Sequence, residues 1–244
     1  MKSGFDPGLA AGLARLVIDA YGEFERHTLR LPRGFELLAE LRGGAAEGAT
    51  ECFGFVARAT GQRVVTLRGT DSFPDLLDDA EVGLVPMDGK LKGLRCADGV
   101  ARLSLSLRDE VRAALAAGGS DPVTVVGHSL GGAVVAVLGL ELALEGEDVS
   151  VFSFGASRAG DGRLSRSFGR SVPRAWRVVN PKDLVPHWPP AWLCYRHGGH
   201  AVKVHFRDAE GAFENHSMAR YCRAVEALGG EAAGTGQRVA GAAL

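Results

Sequence analysis

The alternation of apolar and polar residues predicts a chain in which strands and helices follow one another. Apolar side chains recur at helical spacing, between plausible start and stop signals, in four segments: 8–26, 103–117, 133–144 and 217–228. Short runs rich in β-branched and aromatic residues predict six strands: 52–59, 63–67, 123–126, 149–154, 176–179 and 202–206. The first two strands are separated by three residues, 60–62, and are therefore expected to form a hairpin.

This order of elements predicts an α/β fold with a mainly parallel sheet and helices on both faces. The length of 244 residues, with no repeat and no linker, favours a single domain over 1–228. The Gly/Ala-rich tail, 229–244, has no predicted structure. Residues 43–48 are predicted to form a surface loop, and the polar segment 158–171 to be helical or irregular.

The composition, 46% apolar and 23% charged, is ordinary for a soluble protein, and a net charge of −1 does not favour a nucleic-acid partner. No apolar run approaches the ~20 residues that span a bilayer. Arg15 and Asp19 interrupt the first apolar segment, so a signal peptide is not predicted there and a cytoplasmic location is expected. The cysteines are widely spaced, which predicts free thiols and no metal site: Cys52, Cys96, Cys194 and Cys222.

The stretch from Val123 to Ala133 carries the clearest chemistry. Ser129 has Gly-x-Ser-x-Gly spacing between a predicted strand and a predicted helix, with Gly127 and Gly131 on either side. This is the setting of a nucleophile elbow, in which a tight turn exposes the serine and its neighbours must lack side chains. Ser129 is therefore predicted to be a catalytic nucleophile.

A serine hydroxyl needs a base within hydrogen-bond reach, and five histidines follow Ser129 in the sequence. His205 falls within a predicted strand and His200 directly before it, so neither is well placed on a loop. His216 lies where a loop gives way to the closing helix. We therefore predict His216 as the base.

An acid that orients this base is expected after the carboxyl end of a strand. Asp183 meets this condition, because it follows the strand at 176–179 and the turn Asn180-Pro181-Lys182. Asp161 is the alternative, although its Gly-Asp-Gly context also suits a turn. Asp148 precedes its strand and would lie at the opposite edge of the sheet.

With these residues in place, the chain resembles the class 3, fungal-lipase-like branch of the α/β-hydrolases over about residues 53–221. The resemblance rests on several motifs in order: Leu67-Arg68-Gly69-Thr70, Gly127-His128-Ser129-Leu130-Gly131-Gly132, Phe154-Gly155-Ala156-Ser157-Arg158 and Val185-Pro186-His187-Trp188-Pro189-Pro190. It implies a triad of Ser129, Asp183 and His216. It also implies an oxyanion hole at Thr70 and Leu130, and no cofactor.

In the family, the segment after Thr70 is a lid. Apolar residues there recur at helical spacing, so the resemblance implies an amphipathic cover formed by Phe73, Leu76 and Leu77, with transient contact to a lipid surface. A fixed surface helix is the alternative. The acidic residues on the opposite face disfavour docking to anionic membranes.

The function implied is that of a serine ester hydrolase of triacylglycerol-lipase type that acts through an acyl-enzyme. A phospholipase, an acyltransferase or a soluble-ester carboxylesterase with the same triad is the first alternative. A non-catalytic binding protein of hydrolase fold is the second, and the presence of Ser129, Asp183 and His216 argues against it.

Overall fold

The computed structural model describes residues 4–26, 29–44, 51–70, 83–206 and 212–237. Its centre is a seven-stranded sheet of order β1-β2-β3-β6-β7-β9-β11. The strands are β1 Glu36–Gly43, β2 Glu51–Ala59, β3 Gln62–Leu67, β6 Val123–His128, β7 Val149–Phe154, β9 Arg174–Val179 and β11 His200–Lys203. The pairs from β3 to β11 are parallel, while β1 and β2 form an antiparallel edge. The predicted mainly parallel sheet is confirmed.

Helices cover both faces of this sheet. Their bounds are α1 Pro7–Arg26, α2 Asp98–Ala117, α3 Ser129–Glu145, α4 Gly162–Ser171, α5 Ala212–Asn215 and α6 Met218–Gln237. Side chains of successive strand residues point to opposite faces, so Val125 packs with α2 and α3 whereas Val126 packs with α1 and α6. This alternation explains why the central strand, β6, is buried along its whole length.

A second, antiparallel sheet of four short strands was not predicted. It has the order β10-β8-β5-β4 and consists of β4 Leu84–Pro86, β5 Arg95–Ala97, β8 Gly160–Asp161 and β10 Tyr195–Arg196. Strands of two or three residues are too short for a detectable period-two pattern. The strand β1 also escaped prediction, because it forms the sheet edge and its burial alternates only weakly.

The predicted helix at 103–117 begins earlier, at Asp98, and the predicted bounds of two elements near the C-terminus are also wrong. The last strand spans His200–Lys203, not 202–206, because its bounds follow from parallel pairing with β9, in which His200 lies opposite Trp176. His200 therefore lies in the strand and His205 beyond it. The closing helix continues to Gln237, so the absence of structure predicted for the tail is incorrect up to that residue.

Of the surface loop predicted at 43–48, Gly43 is the last residue of β1, and residues 45–48 lie outside the described residues. The segment 158–171 contains β8 and then α4. All four cysteines are free thiols, of which Cys194 alone is exposed. Within the described part of the chain, no helix is both long enough and apolar enough to cross a membrane.

Candidate active site

Ser129 lies in a sharp turn between β6 and α3, and its φ of 58° is unusual for a residue with a side chain. The turn leaves no room beside it. A Cβ on Gly127 would lie 2.6 Å from the carbonyl oxygen of Gly131, and a Cβ on Gly131 would lie 2.1 Å from that of Arg68. The expected strand, turn and helix are therefore all present, and both flanking glycines are required sterically.

Three side chains from separate segments form a hydrogen-bonded chain at this turn. The Ser129 Oγ lies 2.8 Å from the Nε2 of His216, and the His216 Nδ1 lies 2.8 Å from the Oδ2 of Asp183. Because a carboxylate can only accept, the Nδ1 carries the hydrogen and the Nε2 accepts from the serine hydroxyl. The three residues follow the carboxyl ends of β6, β9 and β11, so the parallel sheet brings them to one edge.

The Asp183 carboxylate is fully buried and is compensated by hydrogen bonds. Its Oδ2 accepts from the Tyr221 hydroxyl at 2.7 Å, and its Oδ1 accepts from the Val185 N–H at 3.0 Å. Burial and the negative charge of Asp183 raise the pKa of Tyr221 well above its usual value. Tyr221 therefore remains a hydrogen-bond donor to the carboxylate at every physiological pH.

The alternative acids serve other roles. Asp161 caps α4, where its Oδ1 accepts from the N–H groups of Arg163 and Leu164, each at 2.9 Å. Asp148 pairs with Arg174 on the surface, at the amino ends of the strands. Neither contacts His216.

His128, the residue before Ser129, supports the histidine of this site. The His128 Nε2 donates to the backbone carbonyl of His216 at 2.9 Å, and its Nδ1 lies 2.7 Å from the Tyr21 hydroxyl. Burial and the adjacent His216 ring lower the pKa of His128 well below its usual value. His128 is therefore neutral, so that its Nδ1 accepts from Tyr21 while its Nε2 donates.

The backbone that precedes Thr70 lies directly against the elbow. A Cβ on Gly69 would come within 2.6 Å of the Ser129 Cβ, and the Gly69 N–H donates to the Tyr21 hydroxyl at 2.9 Å. The Thr70 Oγ1 is buried, and it has no hydrogen-bond partner among the described residues. Leu130 lies in the first turn of α3, where backbone N–H groups lack helical partners.

Arg68 holds this loop in place from beneath. Its side chain is 1% exposed, and it donates to the carbonyls of Cys52 and Gly69 at 2.8 and 2.6 Å. It also pairs with Glu51 at 3.0 Å and stacks over the ring of Phe53 at 4.8 Å. A buried cation with this many partners fixes the backbone course of the loop.

The structure thus brings together Ser129, His216 and Asp183, and it places Thr70 and Leu130 beside them. The lid residues Phe73, Leu76 and Leu77 lie outside the described residues. The supporting residues Tyr21, His128 and Tyr221 were not predicted. For His128 the only available signal was its place inside the elbow motif, and for Tyr21 the sequence offered none.

The fold and the site together define a member of the α/β-hydrolase class with a serine nucleophile elbow. The family model "Lipase (class 3)" matches residues 64–192, just over half of the sequence, and the chain belongs to that family. The resemblance inferred from the motifs is confirmed.

Among individual relatives, a lipase of Rhizopus niveus is 29% identical over 158 residues, which cover 60% of this chain and 40% of that protein. The secreted mono- and diacylglycerol lipase 1 of Fusarium solani is 30% identical over 95 residues, covering 39% and 28%. The phospholipase A1-II 1 of Oryza sativa subsp. indica is 27% identical over 199 residues, covering 66% and 50%. The chain thus spans half or less of the length of these curated relatives.

Among solved structures, the nonglycosylated LIP2 lipase of Yarrowia lipolytica superimposes with a TM-score of 0.69 at 18% identity. The match covers 82% of this chain and 79% of that one. At this identity the likeness shows the α/β-hydrolase fold alone.

The cytoplasmic location expected from the sequence is wrong. The Fusarium solani relative is named as secreted, which contradicts that expectation. The expectation rested on the charged residues of the first apolar segment. Those residues lie on an amphipathic helix of the folded domain, α1, which says nothing about export.

Proposed function

We propose that this chain hydrolyses carboxylic esters of the triacylglycerol type through an acyl-enzyme formed on Ser129. The observation that carries the proposal is the chain of 2.8 Å contacts from Ser129 through His216 to Asp183. The family membership and the lipase activity named for the Rhizopus niveus relative support it.

In the first half of the reaction, the Ser129 Oγ attacks the ester carbonyl carbon and its proton passes to the His216 Nε2. Asp183 stabilises the imidazolium that forms and keeps the ring oriented. The carbonyl oxygen becomes an oxyanion that accepts hydrogen bonds from the N–H groups of Thr70 and Leu130, with the Thr70 hydroxyl as a third donor. The C–O bond to the alcohol then breaks, and the alcohol leaves with the proton from His216.

In the second half, water replaces the alcohol. His216 takes a proton from the water as its oxygen attacks the acyl carbon, and a second oxyanion forms in the same place. The bond from the acyl carbon to the Ser129 Oγ breaks, and His216 returns the proton to Ser129. The product is a carboxylic acid, and the protein returns to its starting state.

Labelling with an alkylphosphonate followed by peptide mapping tests the nucleophile. We expect one labelled peptide, containing Ser129, with no labelling of Ser129→Ala and slow labelling of His216→Ala. Absence of label in the folded wild-type protein, or label on another residue, would contradict the proposal. The first of these results would favour the alternative of a non-catalytic binding protein.

A phospholipid substrate is the second candidate. The rice relative, which matches 66% of this chain, is named a phospholipase A1. Chain-length series of p-nitrophenyl esters, emulsified triglyceride and phosphatidylcholine vesicles separate the classes. Fatty-acid release from triglyceride at a higher kcat/KM than from phospholipid or soluble ester supports the lipase. The reverse order would support the phospholipase or the carboxylesterase.

A further inference from the structure

A pocket distinct from the Ser129 site lies between α3, α4 and β9. Its volume is about 30 Å³. Because about 10–15 Å³ on this scale holds one water molecule, the pocket has room for a small ion but not for an acyl chain. The polar side chains that line it are Ser153, Ser157, Ser165, Arg177, Arg196 and His197. No triad residue and no carboxylate is among the described residues of its lining.

Arg177, which lies on β9, has no hydrogen-bond partner for its buried Nε among the described residues. Its register partner on β11 is Ala201, so the neighbouring strand offers no carboxylate on the same face. Burial and the charge of Arg158 lower the pKa of Arg177 to about 10. The guanidinium is still cationic at neutral pH.

Arg63 and Arg68, two arginines that are more deeply buried than Arg177, are treated differently. Arg63 and Arg68 are each 1% exposed, and each reaches a carboxylate: Glu147 at 2.6 Å and Glu51 at 3.0 Å. A buried cation without a counter-charge is costly, which accounts for this pairing. Among the described residues, Arg177 lacks an equivalent partner.

The surroundings of Arg177 add positive charge. The guanidinium of Arg158 donates to the carbonyl of Pro189 at 2.6 Å, and that of Arg196 to the carbonyl of Tyr195 at 2.7 Å. These acceptors are neutral, so each arginine keeps its full charge. His197 donates its Nε2–H to the carbonyl of Pro186 at 2.7 Å and adds no charge at neutral pH.

We propose that this pocket binds a small oxyanion, a carboxylate or a phosphate, on the Arg177 guanidinium. The planar edge of a guanidinium matches two oxygens of such a group, and Ser153 and Ser157 line the same pocket. Ala201, the residue opposite Arg177, has no charge, so the bound anion supplies the counter-charge for Arg177. It also reduces the repulsion between Arg177 and Arg158. This site is independent of ester hydrolysis, because Ser129 plays no part in it.

Thermal unfolding in sodium acetate, sodium phosphate and sodium chloride of equal ionic strength tests the site. Above the Kd of the oxyanion, we expect each tenfold increase in its concentration to raise the wild-type Tm by about 3–5 °C over the chloride value. Arg177→Gln should remove this rise. The matched control is Arg174→Gln, which removes the same charge from the exposed end of the same strand and should keep the rise. Comparison of acetate with phosphate then identifies the better oxyanion.

Ala201→Glu provides a second variant that does not depend on the folding of Arg177→Gln. The new carboxylate lies opposite Arg177 and should act as the internal counter-charge, so that Tm is higher in chloride and no longer responds to acetate or phosphate. A wild-type Tm that is the same in all three salts would overturn the proposal. An oxyanion-specific rise that persists in Arg177→Gln or Ala201→Glu would also overturn it.

Discussion

The imidazole ring of His128 is stacked on that of His216, with ring centroids 4.5 Å apart and ring planes 30° apart. The two rings are also joined through the backbone, because His128 donates to the His216 carbonyl. The same His128 ring is held by Tyr21, whose hydroxyl accepts from the N–H of Gly69. One hydrogen-bonded unit therefore connects the proposed base with the loop that precedes Thr70.

Replacement of His128 by phenylalanine tests this connection. The variant keeps a flat ring for stacking but loses both hydrogen bonds, so the base and the Gly69 loop are no longer aligned with Ser129. We expect kcat for a soluble ester to fall by about 10²-fold, with a smaller change in KM, since a shift of about 1 Å is enough for such a loss. Equal losses in kcat and in folded fraction would instead indicate a purely structural role.

Ser129→Ala and His216→Ala are each expected to reduce kcat by about 10⁶-fold. The double variant should lose little more, because the two residues act as a unit in one proton transfer. Steady-state hydrolysis of a p-nitrophenyl ester measures all three. Losses that multiply in the double variant would contradict the proposed chain of contacts.

The two candidate acids give opposite results when each is changed to asparagine. Asp183→Asn removes the charge that stabilises the imidazolium, and kcat is expected to fall by about 10⁴-fold. Asp161→Asn alters only the cap of α4, so activity should be retained, with a loss of stability below about 1 kcal/mol. Activity and thermal unfolding of both variants provide the measurement. If Asp161→Asn lost activity and Asp183→Asn retained it, Asp161 rather than Asp183 would be assigned as the acid that orients His216.

These residues differ in how far the sequence could predict them. Ser129, Asp183 and His216 were located by local rules: a glycine-flanked turn between strand and helix, the end of a strand, and a loop before a helix. Such rules depend on only a few neighbouring residues, so they can be read from the sequence without knowing the tertiary contacts. Tyr21 lies 107 residues from His128, and their contact arises only when α1 packs on the sheet.

The same limit applies to the fold. The strongly apolar central strands were predicted because both of their faces are buried. The bounds of β11 depend on pairing with β9, and the strands of the small sheet depend on contacts between distant segments. A strand of two to four residues is too short to show the period-two alternation of apolar and polar residues from which strands are predicted.

Thr70→Val tests the hydroxyl at the proposed oxyanion site. The Thr70 Oγ1 has no partner among the described residues, so its removal breaks no hydrogen bond there and should leave the Tm almost unchanged. If the Thr70 hydroxyl donates a hydrogen bond to the oxyanion, kcat of Thr70→Val should fall by about 10²–10³-fold, whereas Thr70→Ser should retain most activity. An unaffected Thr70→Val would leave only the backbone N–H groups in this role.

The last prediction concerns the dependence of stability on pH. Burial, with the charge of Arg177 next, lowers the pKa of His197 in the folded protein from 6.5 to about 3. Below pH 6.5 the unfolded chain therefore takes up a proton that the native protein refuses, and the free energy of unfolding decreases as pH falls. The decrease is about 1.4 kcal/mol per pH unit for this one group, or about 2 kcal/mol at pH 5.

His197→Gln isolates this contribution, because the glutamine amide can donate to the Pro186 carbonyl but does not titrate. Between pH 7 and pH 5 we expect its Tm to fall by about 4–8 °C less than that of the wild type. His205→Gln, at an exposed site, is the control and should follow the wild type. His128 is also buried and neutral, so a residual decrease should remain in His197→Gln. Parallel Tm curves for His197→Gln and the wild type would show that His197 is protonated in the folded protein, contrary to the environment that Arg177 and Arg158 create.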